Sequence, residues 1–426
     1  MKRVLPILSI LASLAVFPGC PTPPSPGGYS PPGTSPDGST AVRIGLREKV
    51  RSVVIESSKE MTVRIGANVM KGHAFTVIAG ARELTVTGTG GRSRGARFVC
   101  SSTSSIRVAG KGYRGQIEVF ISGGRLTVVN IVDLEDYLRG VVPREIGYLK
   151  RSEIEAMKAQ AIAARTYTLA LLGRRETHGF DLYFDTRDQV YGGVSAESRL
   201  ANEAIKATKG QVLVYNGKLI EAYFHSTCGG STVNIEDVWN TTESVPYLRK
   251  VYDGDKRGIH CKASPHFRWS EVYTANTARR IISKNLRKVV PGAPTDIGRL
   301  INVAVTEQSR SGRALKTRIT AERGAWDIPK DKIRLVVRRS RKGNLPLRSS
   351  YVRLYCERDR AGFVKKMAIS GGGFGHGIGM CQSGAIGMAR KGYKVEQILT
   401  HYYTGTKIID YRSAGVATAA RIPTEG

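Results

Sequence analysis

A run of glycines near the carboxyl terminus constrains the fold of this chain more than any other feature. Residues 371–389 read GGGFGHGIGMCQSGAIGMA, and eight of these nineteen residues are glycine. Such a density would break a helix, and a surface loop does not need it. The backbone here must adopt conformations closed to other residues, or let another group lie against it. His376, Cys381 and Gln382 are embedded in the run, which indicates a functional site.

The chain is long and strongly basic. Its 426 residues are enough for two or three domains, and its formal net charge is +31. A basic surface favours a polyanionic or acidic partner, although a lineage-wide composition on solvated faces accounts for the charge equally well. The sequence has no zinc-finger spacing, no aromatic-basic RNA-binding run and no basic helix with heptads. We therefore expect no nucleic-acid partner.

The amino terminus predicts export. The apolar stretch Val4–Phe17 follows two basic residues and is too short to span a bilayer, which is typical of a signal peptide. Gly19-Cys20 resembles a lipoprotein processing site, so we expect a signal peptide over 1–20 with Cys20 as the lipidated residue; ordinary secretion is the alternative. Residues 21–40, rich in Pro, Gly and Ser, predict an extended tether. The protein is then an envelope protein, anchored to the membrane by its lipid.

The remaining chain predicts an α+β fold. Short runs rich in Val, Ile and Thr occupy 41 to 131, and several alternate with period two, as half-buried strands do. We place a small β domain at 41–110, a mixed α/β catalytic domain with a long Ala-rich helix at 111–412, and a tail at 413–426.

Cap and spacing patterns predict the helices. Asp133 is expected to cap a short helix, and Ser152–Glu155 forms a capping box for a long helix that ends at about Leu172. Further helices are predicted at Ala196–Thr208, Thr277–Val289, Ala385–Lys391 and Val395–Tyr402.

Glu145 is a candidate general acid. It lies in GVVPREIG, between the short and the long helix, where Val141, Val142 and Ile146 make the surroundings apolar. A carboxyl held there loses hydration, which raises its pKa and lets it donate a proton near neutral pH. The alternative is a surface acid near a helix start, favoured by the helix dipole.

The Ala-rich helix carries polar residues that need partners. Lys158 and Arg165 are seven residues apart and share a face, and Gln160 lies near Lys158. A sugar or a carboxylate would satisfy them, and so would loop carbonyls. Tyr191 and His225 lie in polar clusters just before glycines, a pattern that suits a cleft wall.

The cysteines leave two interpretations open. Five remain after Cys20, an odd number in an exported protein. A tetrahedral site built from Cys228, Cys261, Cys381 and a histidine such as His225 would suit zinc. A Cys228–Cys261 disulfide or buried free thiols are the alternatives. The sequence contains no Gly-rich phosphate loop, nucleophile elbow or HExxH motif.

Several long motifs resemble one family. DLEDYLRGVVPREIG, EAMKAQAIAARTYTLA, DTRDQVYGG, FHSTCGGST and GGGFGHGIGMCQSGAIGMARKGYKVEQILTHYYTGT occur in the order found in the stage II sporulation protein D / amidase enhancer family. The resemblance covers about Tyr113 to Ile409. It implies a peptidoglycan lytic transglycosylase that acts on glycan strands stripped of stem peptides. Other members are described as enhancers of a partner amidase.

The resemblance implies that Glu145 is the catalytic glutamate. Such an enzyme protonates the glycosidic oxygen between N-acetylmuramic acid and N-acetylglucosamine, and the muramyl C6 hydroxyl then attacks C1 to leave a 1,6-anhydro end. One carboxyl is sufficient, because no nucleophilic water is needed. Denuded strands carry free lactyl carboxylates, which suit a basic cleft. We expect substrate contacts from Lys158, Gln160, Arg165, Tyr191, His225, His376 and Gln382, with the glycine run close to a glycan or to the Glu145 loop.

Two other functions stay open. In a non-enzymatic activator of a cell-wall amidase, Glu145 would only bind. In a zinc hydrolase, His225, His376 and the cysteines would form the centre. No cofactor is required by the transglycosylase mechanism, but a structural zinc is compatible with the family, which has zinc-binding members. This chain lacks the His-x-Cys pair often found before the Gln-Val-Tyr stretch and has Arg187-Asp188 there. A role in sporulation does not follow from the motifs.

Overall fold

The computed structural model describes residues 40–241, 244–340, 345–414 and 417–418. The predicted signal peptide, Cys20 and almost all of the predicted tether and tail lie outside these residues. None of the helices described is both long enough and apolar enough to cross a bilayer. The fold is α+β, as predicted.

A large, mainly antiparallel sheet forms the amino-terminal part. Its main path runs β1-β10-β9-β6-β2-β3-β4-β5. Alternate side chains of the second strand are buried over much of its length, as the period-two pattern predicts. The strands are β1 (Ala41–Val50), β2 (Ser52–Ile65), β3 (Asn68–Ala79), β4 (Leu84–Gly88), β5 (Gly91–Gly95), β6 (Arg97–Ser102), β7 (Ile106–Val108), β8 (Lys111–Tyr113), β9 (Gln116–Ser122) and β10 (Arg125–Asp133).

This sheet continues past the domain boundary predicted at 110/111. β10 pairs with β1 from Leu126 to Asp133, and β9 pairs with both β10 and β6. A short strand from the next region, β11 (Leu182–Tyr183), adds to the other edge of β1 in parallel. The sheet and the helical region therefore share one hydrophobic core.

Three helices follow the sheet: α1 (Leu134–Ile146), α2 (Ile154–Ala170) and α3 (Arg199–Ala207). Asp133 caps α1 as predicted, because its carboxylate accepts hydrogen bonds from the Glu135 and Asp136 N–H groups. The predicted capping box is displaced. Ser152 lies inside a 3₁₀ turn that precedes α2, and the Glu153 carboxylate accepts a hydrogen bond from the Lys150 N–H at 2.7 Å.

Residues 269–371 form an inserted subdomain with its own core. Ile282, Ile319 and Met367 lie at its centre, in a cluster separate from the main core. Its two three-stranded sheets run β17-β22-β21 and β18-β19-β20. The elements are β17 (Trp269–Thr274), α4 (Ala275–Leu286), β18 (Leu300–Gln308), β19 (Ala314–Ala321), β20 (Gly324–Pro329), α5 (Ile333–Val336), β21 (Val352–Arg358) and β22 (Val364–Gly371).

Short elements connect this subdomain to the helices. Before it come β12 (Gln211–Tyr215), β13 (Lys218–Leu219), β14 (Phe224–His225), β15 (Gly254–Asp255) and β16 (Gly258–Ile259), and after it come β23 (Met380–Cys381), α6 (Gln382–Arg390), α7 (Val395–Tyr402), β24 (Lys407–Asp410), α8 (Tyr411–Ala414) and β25 (Ala417–Thr418). β23 pairs in parallel with β14, and β24 pairs with β12. The Ala-rich α2 is buried between α1, α3, α6 and α7. Because α6 begins within the glycine run and packs against α2, the end of this run lies next to the helix that follows Glu145.

Candidate active site

Glu145 lies in the last turn of α1 and not in the loop between helices. The helix continues through Pro143, which the sequence reasoning placed outside it. The carboxyl end of a helix carries partial negative charge and disfavours a carboxylate. The alternative in which a helix start stabilises Glu145 is therefore wrong, because the residue sits at the opposite end.

Two hydrogen bonds hold the half-buried carboxyl of Glu145. The backbone N–H of Val190 donates to Oε1 at 2.6 Å, and the Gln382 side chain donates a second bond. Burial raises the pKa of the Glu145 carboxyl above its ordinary value, against the two hydrogen bonds and the charge of Arg144, which act in the other direction. This carboxyl thus keeps its proton at a higher pH than an exposed glutamate does.

A cavity of about 410 Å³ is lined by residues next to Glu145. Val190, which binds Glu145, lies in its wall, and so does Arg144. Its lining mixes aromatic, charged and glycine surfaces, which suit the apolar faces and hydroxyl edges of sugars. The other lining residues include Tyr148, Phe184, Asp185, Thr186, Tyr191 and Gly192.

Asp185 is a second carboxylate in the wall of this cavity. The guanidinium of Arg187 binds it through two contacts, Nε to Oδ1 at 2.9 Å and Nη2 to Oδ2 at 2.7 Å. The hydrogen bond from Arg187 lowers the pKa of Asp185. One carboxyl at the cavity is therefore held protonated more readily than usual and the other is held ionised.

The structure brings Gln160 and Gln382 together with Glu145. Nε2 of Gln382 lies 3.3 Å from Oε1 of Gln160, and both glutamines are buried. Within the part of the chain that is described, Nε2 of Gln160 has no hydrogen-bond partner. Three of the predicted site residues thus form one polar group at the junction of α1, α2 and α6.

Tyr191 lies in the cavity wall and is held there by other residues of the protein. Its hydroxyl donates to Oδ1 of Asn130 at 3.0 Å, and its ring packs against Tyr113 and Tyr137. A side chain at Gly140 would lie 2.5 Å from this ring. The predicted contact of Tyr191 with a sugar is therefore limited to its ring edge, because the hydroxyl is already bonded.

Lys158 and Arg165 do not join this group, in contrast to the sequence prediction. Arg165 is fully buried, and its guanidinium binds the Glu135 carboxylate at 2.8 and 2.7 Å and the carbonyl of Gln211 at 3.1 Å. Lys158 pairs with Glu155 at 2.8 Å. Each charge thus has a partner within the protein, Arg165 in the interior and Lys158 at the partly exposed start of the helix.

The two histidines are held by backbone groups. The Ile378 N–H donates to Nδ1 of His376 at 3.1 Å, so Nε2 carries the proton and donates to the Phe224 carbonyl at 2.9 Å. Burial lowers the pKa of His376 to about 4. His225 is also buried, its Nδ1 lies 3.1 Å from the Ile378 carbonyl, and burial lowers its pKa well below the ordinary value. Both imidazoles are therefore neutral and positioned as structural groups.

The glycine run packs against the protein itself. Gly377 and Gly379 have φ angles of +89° and +66°, and a Cβ at Gly379 would lie 2.1 Å from the Tyr223 carbonyl oxygen. A Cβ at Gly377 would lie 2.3 Å from the guanidinium of Arg313. At these two positions the close backbone approach is to buried protein groups, where the sequence analysis expected a glycan or the Glu145 loop.

Three of the cysteines and one aspartate form a buried group, which we call the thiol cluster: Cys228, Asp253, Cys261 and Cys381. Their potential ligand atoms all lie within 4.8 Å of one another. His225 is not a member, and Asp253 occupies the place that the sequence reasoning assigned to it. All five cysteines of the described chain are free. The thiol cluster is a group that could hold a metal ion.

A second cavity, of about 360 Å³, is basic and aromatic. Its wall is shared between the main helical region and the inserted subdomain. Side chains of both kinds line it, namely Tyr167, Arg174, Arg175, Arg187, Tyr223, Trp239, Lys330, Lys332 and Arg334. Arg187 connects it to the first cavity, because the same residue binds Asp185.

Sequence reasoning missed two important participants. Val190 acts through its backbone N–H, so the identity of its side chain gives no signal. Asp253 lies eight residues before Cys261. Its carboxyl is an acidic ligand type close to a cysteine in sequence, and this proximity is the signal that points to it.

Comparisons with known proteins agree with this architecture. The family profile described as stage II sporulation protein matches residues 122–215, which contain Glu145. A profile described as a domain of unknown function, DUF8618, matches residues 255–379, which contain the inserted subdomain.

Three curated relatives align over most of the described chain. An uncharacterised protein of Brachyspira hyodysenteriae is 29% identical, over 74% of this chain and 77% of its own length. The amidase enhancer of Bacillus subtilis is 31% identical, over 64% of this chain and 40% of its own length. Stage II sporulation protein D of Bacillus subtilis is 31% identical, over 76% of this chain and 85% of its own length. The chain therefore belongs to the stage II sporulation protein D family.

Proposed function

We propose that this protein is a peptidoglycan lytic transglycosylase with Glu145 as its general acid and base. The observation that carries the proposal is the half-buried Glu145 carboxyl with its raised pKa, which is bonded by the backbone of Val190, a residue that lines the cavity of about 410 Å³. A cell-wall role agrees with its family, whose members include a sporulation protein and an amidase enhancer.

The protonated carboxyl would act first. Glu145 donates its proton to the glycosidic oxygen between the two sugars, and the bond from that oxygen to C1 of the muramyl unit breaks. The resulting carboxylate then takes the proton of the muramyl C6 hydroxyl as its oxygen bonds to C1. The products are a shortened strand and a 1,6-anhydro end, and Glu145 is protonated again.

Gln382 and Gln160 would keep the carboxyl in place through this cycle. Gln382 donates to the carboxyl in both protonation states, and Gln160 holds Gln382 at 3.3 Å.

The proposed substrate is a denuded glycan strand, which carries one lactyl carboxylate on each disaccharide. The net charge of +31 attracts such a polyanion over a long range. The basic and aromatic cavity adds local cations beside rings on which sugars stack, and Arg187 joins it to the Glu145 cavity.

We further propose that the protein is exported and lipid-anchored. The apolar stretch Val4–Phe17 and Cys20 support this placement. The names of the relatives fit a protein that meets peptidoglycan, which lies outside the cytoplasmic membrane.

The second candidate function is a non-catalytic enhancer of a cell-wall amidase. It is favoured by the relative that carries the name amidase enhancer. In this case the cavity beside Glu145 binds glycan without cleaving it.

Incubation with amidase-treated glycan strands tests the two functions. We expect wild-type protein to release anhydromuramyl products and Glu145→Gln to lower the rate by about 10²–10⁴-fold. Glu83→Gln, an exposed glutamate at the sheet end, is the matched control and should keep full activity. The transglycosylase function would be wrong if wild-type protein gave no anhydro products. Faster release of peptides by an added amidase in the same experiment would support the enhancer function.

A further inference from the structure

The thiol cluster joins three separate parts of the chain. Cys228 follows β14, Asp253 and Cys261 flank the β15–β16 hairpin, and Cys381 caps α6. The exposed fraction of each of the four residues is 1% or less. If they were ionised, three thiolates and a carboxylate in a dry interior would repel one another and would lack hydration. A cation or protons must therefore neutralise them.

One sulfur–sulfur distance in the cluster matches the edge of a zinc tetrahedron. Sγ of Cys228 lies 3.6 Å from Sγ of Cys261 and 3.1 Å from Oδ2 of Asp253. Two thiolates on zinc, each at about 2.3 Å, are separated by an edge of about 3.7 Å. A disulfide needs about 2.05 Å. The Cys228–Cys261 separation therefore fits a shared ion better than the bridge considered from sequence.

Backbone donors surround the sulfur atoms. The Cys228 N–H donates to Sγ of Cys381 at 3.2 Å, the Gly230 N–H to Sγ of Cys228 at 3.3 Å, and the Gly384 N–H to Sγ of Cys381 at 3.3 Å. Donors aimed at sulfur stabilise thiolates, and they are the usual outer shell of metal-bound cysteines.

Asp253 faces the cluster with one oxygen, Oδ2, which accepts hydrogen bonds from the Cys228 thiol at 3.1 Å and from the Cys261 N–H at 3.2 Å. The Tyr402 hydroxyl donates to Oδ1 at 2.6 Å, which turns Oδ2 toward Cys228 and Cys261. Across the described ranges, the hydrogen bonds of this fully buried carboxyl come from a thiol, a backbone N–H and a hydroxyl, and no lysine, arginine or histidine forms an ion pair with it. The hydrogen bond from Tyr402 orients this carboxyl, and carboxyl groups that bind metals are usually held by such a bond.

We propose that Cys228, Cys261, Cys381 and Asp253 bind one zinc ion in a closed, structural site. All four positions of a tetrahedron are supplied by the protein, so no position remains for water or substrate. The site lies apart from Arg187-Asp188, where the sequence lacks a His-x-Cys pair. It also stands independently of the proposed catalytic function.

The ion would fasten α6 to the two loops. Cys381 is the N-cap of α6, and the next residue, Gln382, binds Glu145 and Gln160. A metal that fixes Cys381 thereby fixes the donor that faces the proposed catalytic carboxyl. The site is structural, but it positions one residue of the active site.

Metal analysis of the purified full chain tests the proposal. We expect about one zinc per chain, and after exchange with cobalt a thiolate-to-metal charge-transfer band with the strong visible absorption of tetrahedral cobalt. Cys261→Ser and Asp253→Asn should lose the ion or weaken its binding. Cys100→Ser and Cys356→Ser, in cysteines outside the cluster, are matched controls that should retain it.

Thiol labelling of the wild-type protein tests the same proposal without a variant, so it still applies if a variant of the cluster does not fold. In the folded wild type, Cys228, Cys261 and Cys381 should resist alkylation until a chelator is added, and metal release should lower Tm. Three results would overturn the proposal: a Cys228–Cys261 disulfide in the unreduced protein, no uptake of zinc or cobalt by the reduced protein, or equal metal loss in the control variants.

Discussion

The backbone N–H of Val190 lies 2.6 Å from Oε1 of Glu145. This bond joins the last turn of α1 to the loop that follows β11, and Gln382 reaches the same carboxyl from α6. Three parts of the chain that are distant in sequence thus meet at one titratable group. The protonation of that group links the stability of the fold to its proposed chemistry.

Glu145→Gln should stabilise the protein at neutral pH and lose this advantage in acid. Burial raises the pKa of Glu145 in the folded state above its value of about 4.3 in the unfolded chain. Between these two pKa values the native state binds more protons, so wild-type stability falls as pH rises. Denaturant unfolding at pH 4 and pH 7 measures the difference. A difference that is constant with pH, or that is larger in acid, contradicts the assignment.

Gln382→Leu should shift the alkaline limb of the activity profile to higher pH. The Gln382 hydrogen bond lowers the pKa of Glu145, so its removal lets burial raise that pKa further. The pH dependence of product release from glycan measures the limb. Gln116→Leu, an exposed glutamine on β9, is the control and should leave the limb unchanged. A limb that moves to lower pH would show that Gln382 does not stabilise the ionised carboxyl.

Arg165→Met should destabilise the fold by about 3–5 kcal/mol, because it leaves the Glu135 carboxylate without its partner in a mostly buried place. The double variant Arg165→Met/Glu135→Leu should recover part of this loss. A double-mutant cycle by urea unfolding measures the coupling. Additive losses would mean that the pair contributes nothing beyond its separate side chains.

His376→Ala should lower stability by about 1–3 kcal/mol at pH 7 and leave the rate per folded molecule unchanged. The side chain bonds two backbone groups, and its pKa is about 4 when folded against about 6.5 when unfolded. The unfolded state binds more protons between these values, so the wild type loses stability as pH falls through them. The gap between wild type and variant should therefore narrow from pH 7 to pH 4, as urea unfolding will measure. A lower catalytic rate in fully folded His376→Ala would contradict this prediction and would indicate that His376 contacts the substrate.

The sequence predicts local structure well where one pattern decides it. The alternation in β2 and the Asp133 cap are confirmed. The sheet crosses the boundary predicted at 110/111 because β10 pairs with β1. These two strands are far apart in the sequence, and no local pattern encodes their contact.

Side-chain roles follow burial, which sequence spacing cannot give. Arg165 and Lys158 share a helix face, but most of α2 is buried, and each charge is paired with a glutamate of the protein. Asp253 enters the thiol cluster because its backbone N–H binds the carbonyl of Gly230, two residues after Cys228. The burial of the Glu145 carboxyl, by contrast, is predicted from its apolar neighbours, although its place inside α1 is not.

The chemical nature of the new glycan end tests the central claim most directly. Wild-type protein acting on denuded strands in water enriched in ¹⁸O should give ends lighter by one water than a hydrolysis product and free of the label. Asp185→Asn should still cleave, because the mechanism uses Glu145 alone. Labelled reducing ends from the wild type, lost in Asp185→Asn, would contradict the account and assign a two-carboxylate hydrolysis to this cavity.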